Sequence, residues 1–229
     1  MKKNNHTIIF IPGFKGSTLL NQDGTLIWPN FIKAQFNRSI SLSNDFPQFN
    51  IANPIHYEAR SIVESVTILP GLYKYNIYAN FIKAFKKNAP PNSELIIFHY
   101  DWRLDLMITI AELKTLIEQI AQVDIVSHSM GGLITSYILK TIEVEVIRQV
   151  FLIAVPFQGS PKILLDLIYG SKFGLNKTML SAKAMSSFPS IYYLLPRYPE
   201  STPDINTKLS AGDGTVPTIA NANPLTCKG

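Results

Sequence analysis

Short apolar runs alternate with amphipathic segments along most of this chain. Apolar runs predict buried strands at residues 7–12, 94–100, 123–127 and 148–155. Apolar positions at helical spacing predict helices at residues 75–88, 105–121 and 130–141. Strands that alternate with helices favour a mainly parallel sheet covered on both faces by helices, so the predicted fold class is α/β.

Two stretches lack a clear period. Residues 22–70 are rich in Asn, Pro and Ser and predict loops and short helices. Residues 158–205 are helical and loop-like, rich in Leu, Ile, Tyr, Phe and Pro, and interrupt the alternation where a cap over an active site would be inserted. We therefore predict a single domain over residues 1–229, with a cap at 158–205 and a short, mostly polar tail.

The composition is that of a globular domain with a sizeable core. Of its 229 residues, 46% are hydrophobic and 16% charged, which excludes a disordered chain. The net charge of +5 permits weak attraction to an anionic membrane surface, although an ordinary Lys-rich solvated surface is favoured. No dense run of Lys and Arg is present, which argues against a nucleic-acid partner.

Cysteine usage and hydropathy bear on the compartment. Cys227 is the single cysteine, so no intrachain disulfide forms, as fits a reducing cytoplasm. The apolar run at 8–11 ends at Pro12-Gly13 and indicates a buried strand, not an export signal. No segment approaches the roughly 18 apolar residues of a membrane span. We expect a cytoplasmic protein that can make peripheral contact with a membrane surface.

The predicted strand at 123–127 leads directly into a Ser-x-Ser-x-Gly pattern and then into a helix. The pattern is typical of a nucleophile elbow, a sharp strand-to-helix turn that exposes one serine hydroxyl. Here that serine is Ser129, and the residues two positions before and after it, Ser127 and Gly131, are small enough for the strand and helix to approach closely. Ser129 is the candidate nucleophile for acyl transfer; a helix-capping serine is the alternative.

A glycine-containing loop follows the first predicted strand. Sites with such an elbow stabilise the oxyanion through two backbone N–H groups, one after the nucleophile and one in a loop after an earlier strand. Met130 and Phe14 occupy those positions, and Gly13 and Gly16 let the loop turn toward a substrate. A simple turn after a strand is the alternative.

Four sequence blocks resemble the lecithin:cholesterol acyltransferase-like branch of the α/β-hydrolases. They are PGFKGS at 12–17, YDWR at 100–103, HSMGG at 128–132 and GDGTVP at 212–217. The likeness runs from residue 7 to 217, and Tyr-Asp-Trp-Arg ahead of the elbow is quite specific to this branch. The resemblance implies an α/β-hydrolase fold with a helical cap after the strand that follows the elbow.

The resemblance also implies site residues and a reaction. It implies Ser129 as nucleophile, Phe14 and Met130 as oxyanion donors and Asp213 as the triad acid. It implies lipid acyl esters as substrates, water or an alcohol as acceptor, and no cofactor or metal. The residues agree for Asp213, since Gly-Asp-Gly is a tight turn that would expose a carboxylate; a surface Asx turn is the alternative.

The Tyr-Asp-Trp-Arg block predicts a structural pair beside the site. We expect Asp101 and Arg103 to pair and Trp102 to pack beneath them. A catalytic part for the two charged residues is the alternative.

The chain departs from the family pattern after Asp213, because the remaining 16 residues (229 − 213) contain no histidine. Either the chain is a truncated or degenerate product, or the base comes from elsewhere. His99, at the carboxyl end of a predicted strand, and His56, in the irregular region, are the candidate substitute bases. We expect His128 to be a packing residue and His6 to be solvent-exposed.

Two functions are compatible with these patterns. The first is a serine-dependent lipid acyl ester hydrolase or O-acyltransferase of lipid metabolism that acts through an acyl-serine intermediate. The alternative is a catalytically impaired fragment or pseudoenzyme that retains the fold and binds lipid.

Overall fold

A computed structural model describes residues 6–29, 40, 57–69, 73–142, 144–173 and 176–197. Its strands in chain order are β1 (His6–Ile11), β2 (Ser17–Leu20), β3 (Leu26–Trp28), β4 (Glu58–Ile62), β5 (Ser65–Leu69), β6 (Tyr73–Asn76), β7 (Ser93–Ile97), β8 (Val123–His128), β9 (Ile147–Ile153), β10 (Ser171–Phe173) and β11 (Asn176–Leu180). Its helices are α1 (Ala79–Asn88), α2 (Leu106–Glu118), α3 (Met130–Ile138), α4 (Pro161–Tyr169), α5 (Ala182–Ser186) and α6 (Pro189–Tyr192).

The central sheet has four parallel strands in the order β7-β1-β8-β9. Ile9 of β1 lies opposite Ile96 of β7 on one side and Ile125 of β8 on the other. β1 reads as a continuous apolar run because both of its faces are buried, as in sheets covered by helices on both sides. Together with the helices between the strands, the sheet confirms the predicted α/β-hydrolase class.

The region predicted as loops and short helices, residues 22–70, contains the strands β3, β4 and β5, which pair with each other or with the flanking strands β2 and β6. β2, β3 and β4 form a three-stranded antiparallel sheet, and β5 and β6 form a hairpin. β6 therefore occupies the start of the helix predicted at 75–88. The helix begins only at Ala79, because the amides of Ile77, Tyr78 and Ala79 all donate to the Glu64 carbonyl and fix the chain just before the first turn.

The described part of the predicted cap, up to residue 197, leaves the sheet after β9 and returns to its own starting point. Its two ends run side by side, with the amide of Ser160 donating to the carbonyl of Leu194 and that of Arg197 to Gln158. The stretch contains α4, α5 and α6, but also the antiparallel hairpin β10–β11, which the helical prediction missed. Residues 198–229 lie outside the described residues.

The Tyr-Asp-Trp-Arg block forms a buried anchor. Arg103 donates from Nε to Oδ1 of Asp101 at 2.9 Å and from Nη2 to Oδ2 at 2.6 Å, and it also donates from Nη1 to the Ile40 carbonyl at 3.1 Å. Trp102 is fully buried, with edge-to-face contacts to Phe14, Trp28 and Phe188. The predicted structural pair is confirmed.

An ion cluster joins three strands at the amino end of the sheet. Asp124 of β8 accepts from Nε and Nη2 of Arg148 at 2.9 and 2.6 Å and lies 2.6 Å from Nε2 of His6. His6 is therefore partly buried and paired, and the expectation that it is solvent-exposed was wrong. The sequence pattern did not indicate this pairing, because Asp124 lies 118 residues away. The Arg148 bond is the main reason that the pKa of Asp124 is lowered.

Removing the buried carboxylate of Asp101 should strongly destabilise the fold. We expect Asp101→Ala to lower the free energy of unfolding by about 3–5 kcal/mol, since it leaves the Arg103 guanidinium buried without its counter-ion. Denaturant unfolding measures the change. In the matched control Glu58→Ala, the broken pair with Arg60 is more than half exposed, so the loss should stay below about 1 kcal/mol. Equal losses in the two variants would contradict the assignment.

The Asp124 cluster should make stability depend on acid. Because the folded pKa lies below the unfolded value of about 3.9, the cluster contributes stability above that pH and loses it as pH falls through the folded pKa. The free energy of unfolding, measured with urea, should therefore decrease less between pH 7 and pH 3 for Asp124→Asn than for the wild type. Glu118→Gln, at an exposed pair with Lys114, should leave the decline unchanged.

Candidate active site

Ser129 stands at the turn between β8 and α3 in a strained conformation. Its φ of 52° and ψ of −122° lie outside the regions that residues other than glycine favour. The turn is held by its amide, which donates to the Ile153 carbonyl at 2.9 Å, and by its carbonyl, which accepts from the Gly132 amide at 2.9 Å. The serine makes no side-chain capping bond to α3. The geometry supports an elbow over a helix cap.

The end of β1 lies directly against this turn. A Cβ atom on Gly131 would stand 2.5 Å from the Ile11 carbonyl oxygen and 2.7 Å from that of Pro12. A Cβ atom on Gly13 would stand 2.8 Å from Cβ of Ser129. The two segments can meet only because both positions lack a side chain.

Residues 12–17, here termed the oxyanion turn, place the Phe14 amide in a tight reversal. The amide of Gly16 donates to the carbonyl of Gly13 at 2.9 Å, and Lys15 has a φ of 65°. Within the described part of the chain, the amides of Phe14 and Met130 donate no hydrogen bond. Both proposed oxyanion donors are therefore available, Met130 because first-turn helix amides have no intrahelical partner.

Four aromatic side chains hydrogen-bond the backbone of the oxyanion turn. The bonds are Tyr100 Oη to the Pro12 carbonyl (2.8 Å), the Gly13 amide to Tyr78 Oη (3.0 Å), Trp28 Nε1 to the Lys15 carbonyl (2.9 Å) and Trp102 Nε1 to the Ser17 carbonyl (3.0 Å). They fix the turn while leaving the Phe14 amide free, which is the preorganisation that an oxyanion site needs. The sequence pattern indicated neither the Tyr78 bond nor the Trp28 bond, whose partners lie 65 and 13 residues away in the chain.

Lys15 joins the oxyanion turn to the cap. Its Nζ lies 3.4 Å from the Ser171 hydroxyl of β10. Burial lowers the pKa of Lys15 to about 8, against an opposing effect of the Asp166 carboxylate. Nothing in the sequence pattern indicated this contact, because the partners lie 156 residues apart.

The histidines are placed in different surroundings. His128 is half-buried, with Nδ1 2.8 Å from Tyr78 Oη, and burial lowers its pKa. His99 has an exposed side chain whose Nδ1 lies 3.1 Å from the Ile97 carbonyl. It lines an open cleft of about 510 Å³ together with Arg60 and other residues near the ends of β4 and β7.

The structure thus brings together some of the predicted site and not the rest. Ser129, Met130 and the turn that carries Phe14 are adjacent. No hydrogen bond joins Ser129 to His99 or to any other side chain in the described ranges. His56 and Asp213 lie outside those ranges.

Neither a metal centre nor a membrane span is found in the portion of the chain that is described. No group of three or more His, Cys, Asp or Glu side chains there is arranged to hold a metal ion. None of its helices has the length and apolarity of a membrane crossing.

Comparison with known families gives one extensive match. The sequence model of the family described as Lecithin:cholesterol acyltransferase matches residues 17–218. Among curated proteins, the uncharacterized protein YJR098C of Saccharomyces cerevisiae is 33% identical over 116 residues, which cover 48% of this chain and 17% of that protein.

Two solved structures align over most of this chain. A chain of the Tle4–Tli4 complex aligns at 14% identity and a TM-score of 0.48, over 83% of this chain and 54% of that one. The mature lipase BlEst2 of Bacillus licheniformis aligns at 14% identity and a TM-score of 0.43, over 84% of this chain and 58% of that one. This chain therefore spans a little over half of either structure.

Gly131 provides a test of the close approach at the elbow. We expect Gly131→Ala to lower the free energy of unfolding by about 1–3 kcal/mol, because the new methyl overpacks against rigid backbone oxygens. The control is Gly24→Ala, where no atom lies within 4 Å and only the positive φ resists substitution, at a cost of about 1 kcal/mol. Thermal and denaturant unfolding compare the two; a smaller loss for Gly131→Ala would contradict the contact.

Proposed function

Because this chain belongs to the lecithin:cholesterol acyltransferase family, we propose that it is a serine-dependent acyl ester hydrolase or O-acyltransferase that acts on lipids. The observation that carries the proposal is the strained Ser129 beside two unbonded backbone amides. Such strain persists in a fold where the surrounding structure holds it, and it clusters at functional sites.

The proposed reaction follows from this arrangement. Ser129 Oγ attacks the carbonyl carbon of the ester while a base takes its proton. The developing negative charge on the carbonyl oxygen is stabilised by the amides of Phe14 and Met130. The alcohol leaves with a proton, and the acyl-serine is then attacked by water, which gives hydrolysis, or by a second alcohol, which gives acyl transfer.

The proposed reaction also needs a base to accept the Ser129 proton and an acid to orient that base. Asp213 is the proposed acid, and His99 and His56 are the proposed substitute bases. For His99 to act, its ring must leave the Ile97 carbonyl and reach Ser129, from a site at the end of β7 that is separated from β8 by β1.

The second candidate function is a catalytically impaired fragment or pseudoenzyme of this family that binds lipid. It is favoured by the Ser129 hydroxyl, which has no base within hydrogen-bond distance among the described residues. On this proposal, the elbow and the oxyanion turn are retained for the fold.

We further propose the surroundings in which the protein acts. Its substrate is a lipid or other acyl ester, and it works in the cytoplasm with peripheral contact to a membrane. The exposed apolar side chains of Phe157, Ile168 and Tyr169, in and just before α4, support contact with lipid, as does the net charge of +5. No nucleic-acid partner is proposed.

Ser129→Ala tests the nucleophile. We expect hydrolysis of p-nitrophenyl butyrate and palmitate to fall by about a thousandfold or more, since triad members act as a unit. Ser136→Ala, which removes only a hydroxyl bonded to the Gly132 carbonyl within α3, should keep wild-type rates. Equal rates for the wild type and Ser129→Ala would refute the serine mechanism.

Histidine variants and a covalent probe separate the two candidate functions. If a substitute base operates, His99→Ala or His56→Ala should lose at least a hundredfold in kcat, in the range of general base catalysis of about 10²–10⁴. Full activity in both would refute these bases. A fluorophosphonate that labels Ser129 in a protein without turnover would instead favour the impaired enzyme.

A further inference from the structure

One hydroxyl bridges the two segments that carry the proposed oxyanion donors. Tyr78 Oη lies 3.0 Å from the amide nitrogen of Gly13, the residue before Phe14. The same oxygen lies 2.8 Å from Nδ1 of His128, two residues before Met130. The oxyanion turn and the elbow are thus joined through a single atom.

The chemistry of the three groups allows both bonds at once and fixes the direction of the first. The Gly13 amide can only donate, so the tyrosine oxygen accepts from it. Burial raises the pKa of Tyr78 to about 12, so the phenol keeps its proton at neutral pH and can donate it. Burial lowers the pKa of His128, which favours its neutral imidazole. Tyr78 Oη donates to Nδ1 when the ring proton is on Nε2 and accepts from Nδ1 when the proton is there, so the bridge exists in either tautomer.

The bridging hydroxyl has little freedom to move. The Tyr78 side chain is buried and packs edge-to-face on Phe10, with ring centroids 5.3 Å apart, and on His128, at 5.7 Å. Its backbone is fixed just before α1, where its amide donates to the Glu64 carbonyl at 3.1 Å. Displacing the hydroxyl would require movement of both the core and the start of the helix.

We propose that Tyr78 is a positioning residue that sets the separation of the Phe14 and Met130 amides by tying the oxyanion turn to the elbow. The role rests on the proposed function, since it matters only if an oxyanion forms there. Tyr100, Trp28 and Trp102 bond the same turn, but Tyr78 differs from them in also bonding His128 of the elbow. Its loss should therefore change the geometry of the two donors relative to each other.

Tyr78→Phe removes the bridge with little change in volume. We expect kcat to fall about tenfold with KM within twofold of the wild type, since a displaced donor should cost less than the roughly 10²–10³ of a donor removed. Ki for a trifluoromethyl ketone, whose tetrahedral adduct carries the oxyanion, should rise by the same factor. The control is Tyr75→Phe, where the tyrosine is 51% exposed and activity should be unchanged.

Variants of His128 test whether the bridge works through the elbow. His128→Asn keeps a hydrogen-bonding atom near the position of Nδ1 and should keep kcat within about threefold, whereas His128→Leu should lose as much as Tyr78→Phe. Combining Tyr78→Phe with His128→Leu should add less than twofold to either loss, since residues in one network are not additive. If Tyr78→Phe does not fold, the comparison of His128→Asn with His128→Leu tests the proposal on its own.

The failures of the two proposals are distinguishable. An active wild type with kcat and Ki unchanged in Tyr78→Phe would overturn the positioning role and leave the proposed function standing. A wild type that neither hydrolyses esters nor reacts with a fluorophosphonate would overturn both, since the role rests on an oxyanion forming at this site. Amide hydrogen exchange at Gly13 measures the bridge itself: we expect faster exchange in Tyr78→Phe, and unchanged exchange would refute the bridge whatever the activity.

Discussion

The site depends on how closely the end of β1 approaches the turn between β8 and α3. Parallel pairing of β1 with β8 brings Ile11 opposite Ser127, and the chain beyond each strand then crosses the other with no room for a side chain at Gly13 or Gly131. The conformation of Ser129 costs about 1–3 kcal/mol by itself. It persists because hydrogen bonds to Ile153 and Gly132 hold the turn from both sides.

The same core that buries the sheet also supplies the hydrogen bonds of the oxyanion turn. The four aromatic side chains come from three segments of the chain, because Tyr100 and Trp102 belong to the same block. All four are buried, and each presents one polar atom to the turn. Burying such an atom without a partner would cost about 1–3 kcal/mol, so the turn and the rings stabilise each other. Consequently, the turn cannot shift without loss of packing. Among the described residues, the amides of Phe14 and Met130 donate no hydrogen bond, as the proposed role of oxyanion donors requires.

The sequence predicted the elements whose signal is local. The apolar runs predicted the parallel strands, and Ser-x-Ser-x-Gly predicted the strand-to-helix turn at Ser129. The short strands β3 and β4 were missed because they have three and five residues and are partly exposed, so neither shows a clear period. The role of Tyr78 was missed for another reason: its partner Gly13 lies 65 residues away, and only the folded sheet brings the two together.

The two proposed functions differ in whether the protein needs the strained conformation of Ser129. The YDWR anchor, the parallel sheet and the cap would keep the fold without a strained serine, and a relaxed turn would recover the 1–3 kcal/mol or so that the strain costs. An oxyanion site with its donors in place also gives catalysis when a triad member is missing, about a thousandfold to ten-thousandfold over water in serine proteases. Retention of a costly conformation beside two unbonded amides therefore supports the proposal of acyl chemistry at Ser129 over the proposal of an impaired enzyme. On the favoured proposal, the identity of the base governs the rate of the reaction, while the core of the fold governs the geometry of the site.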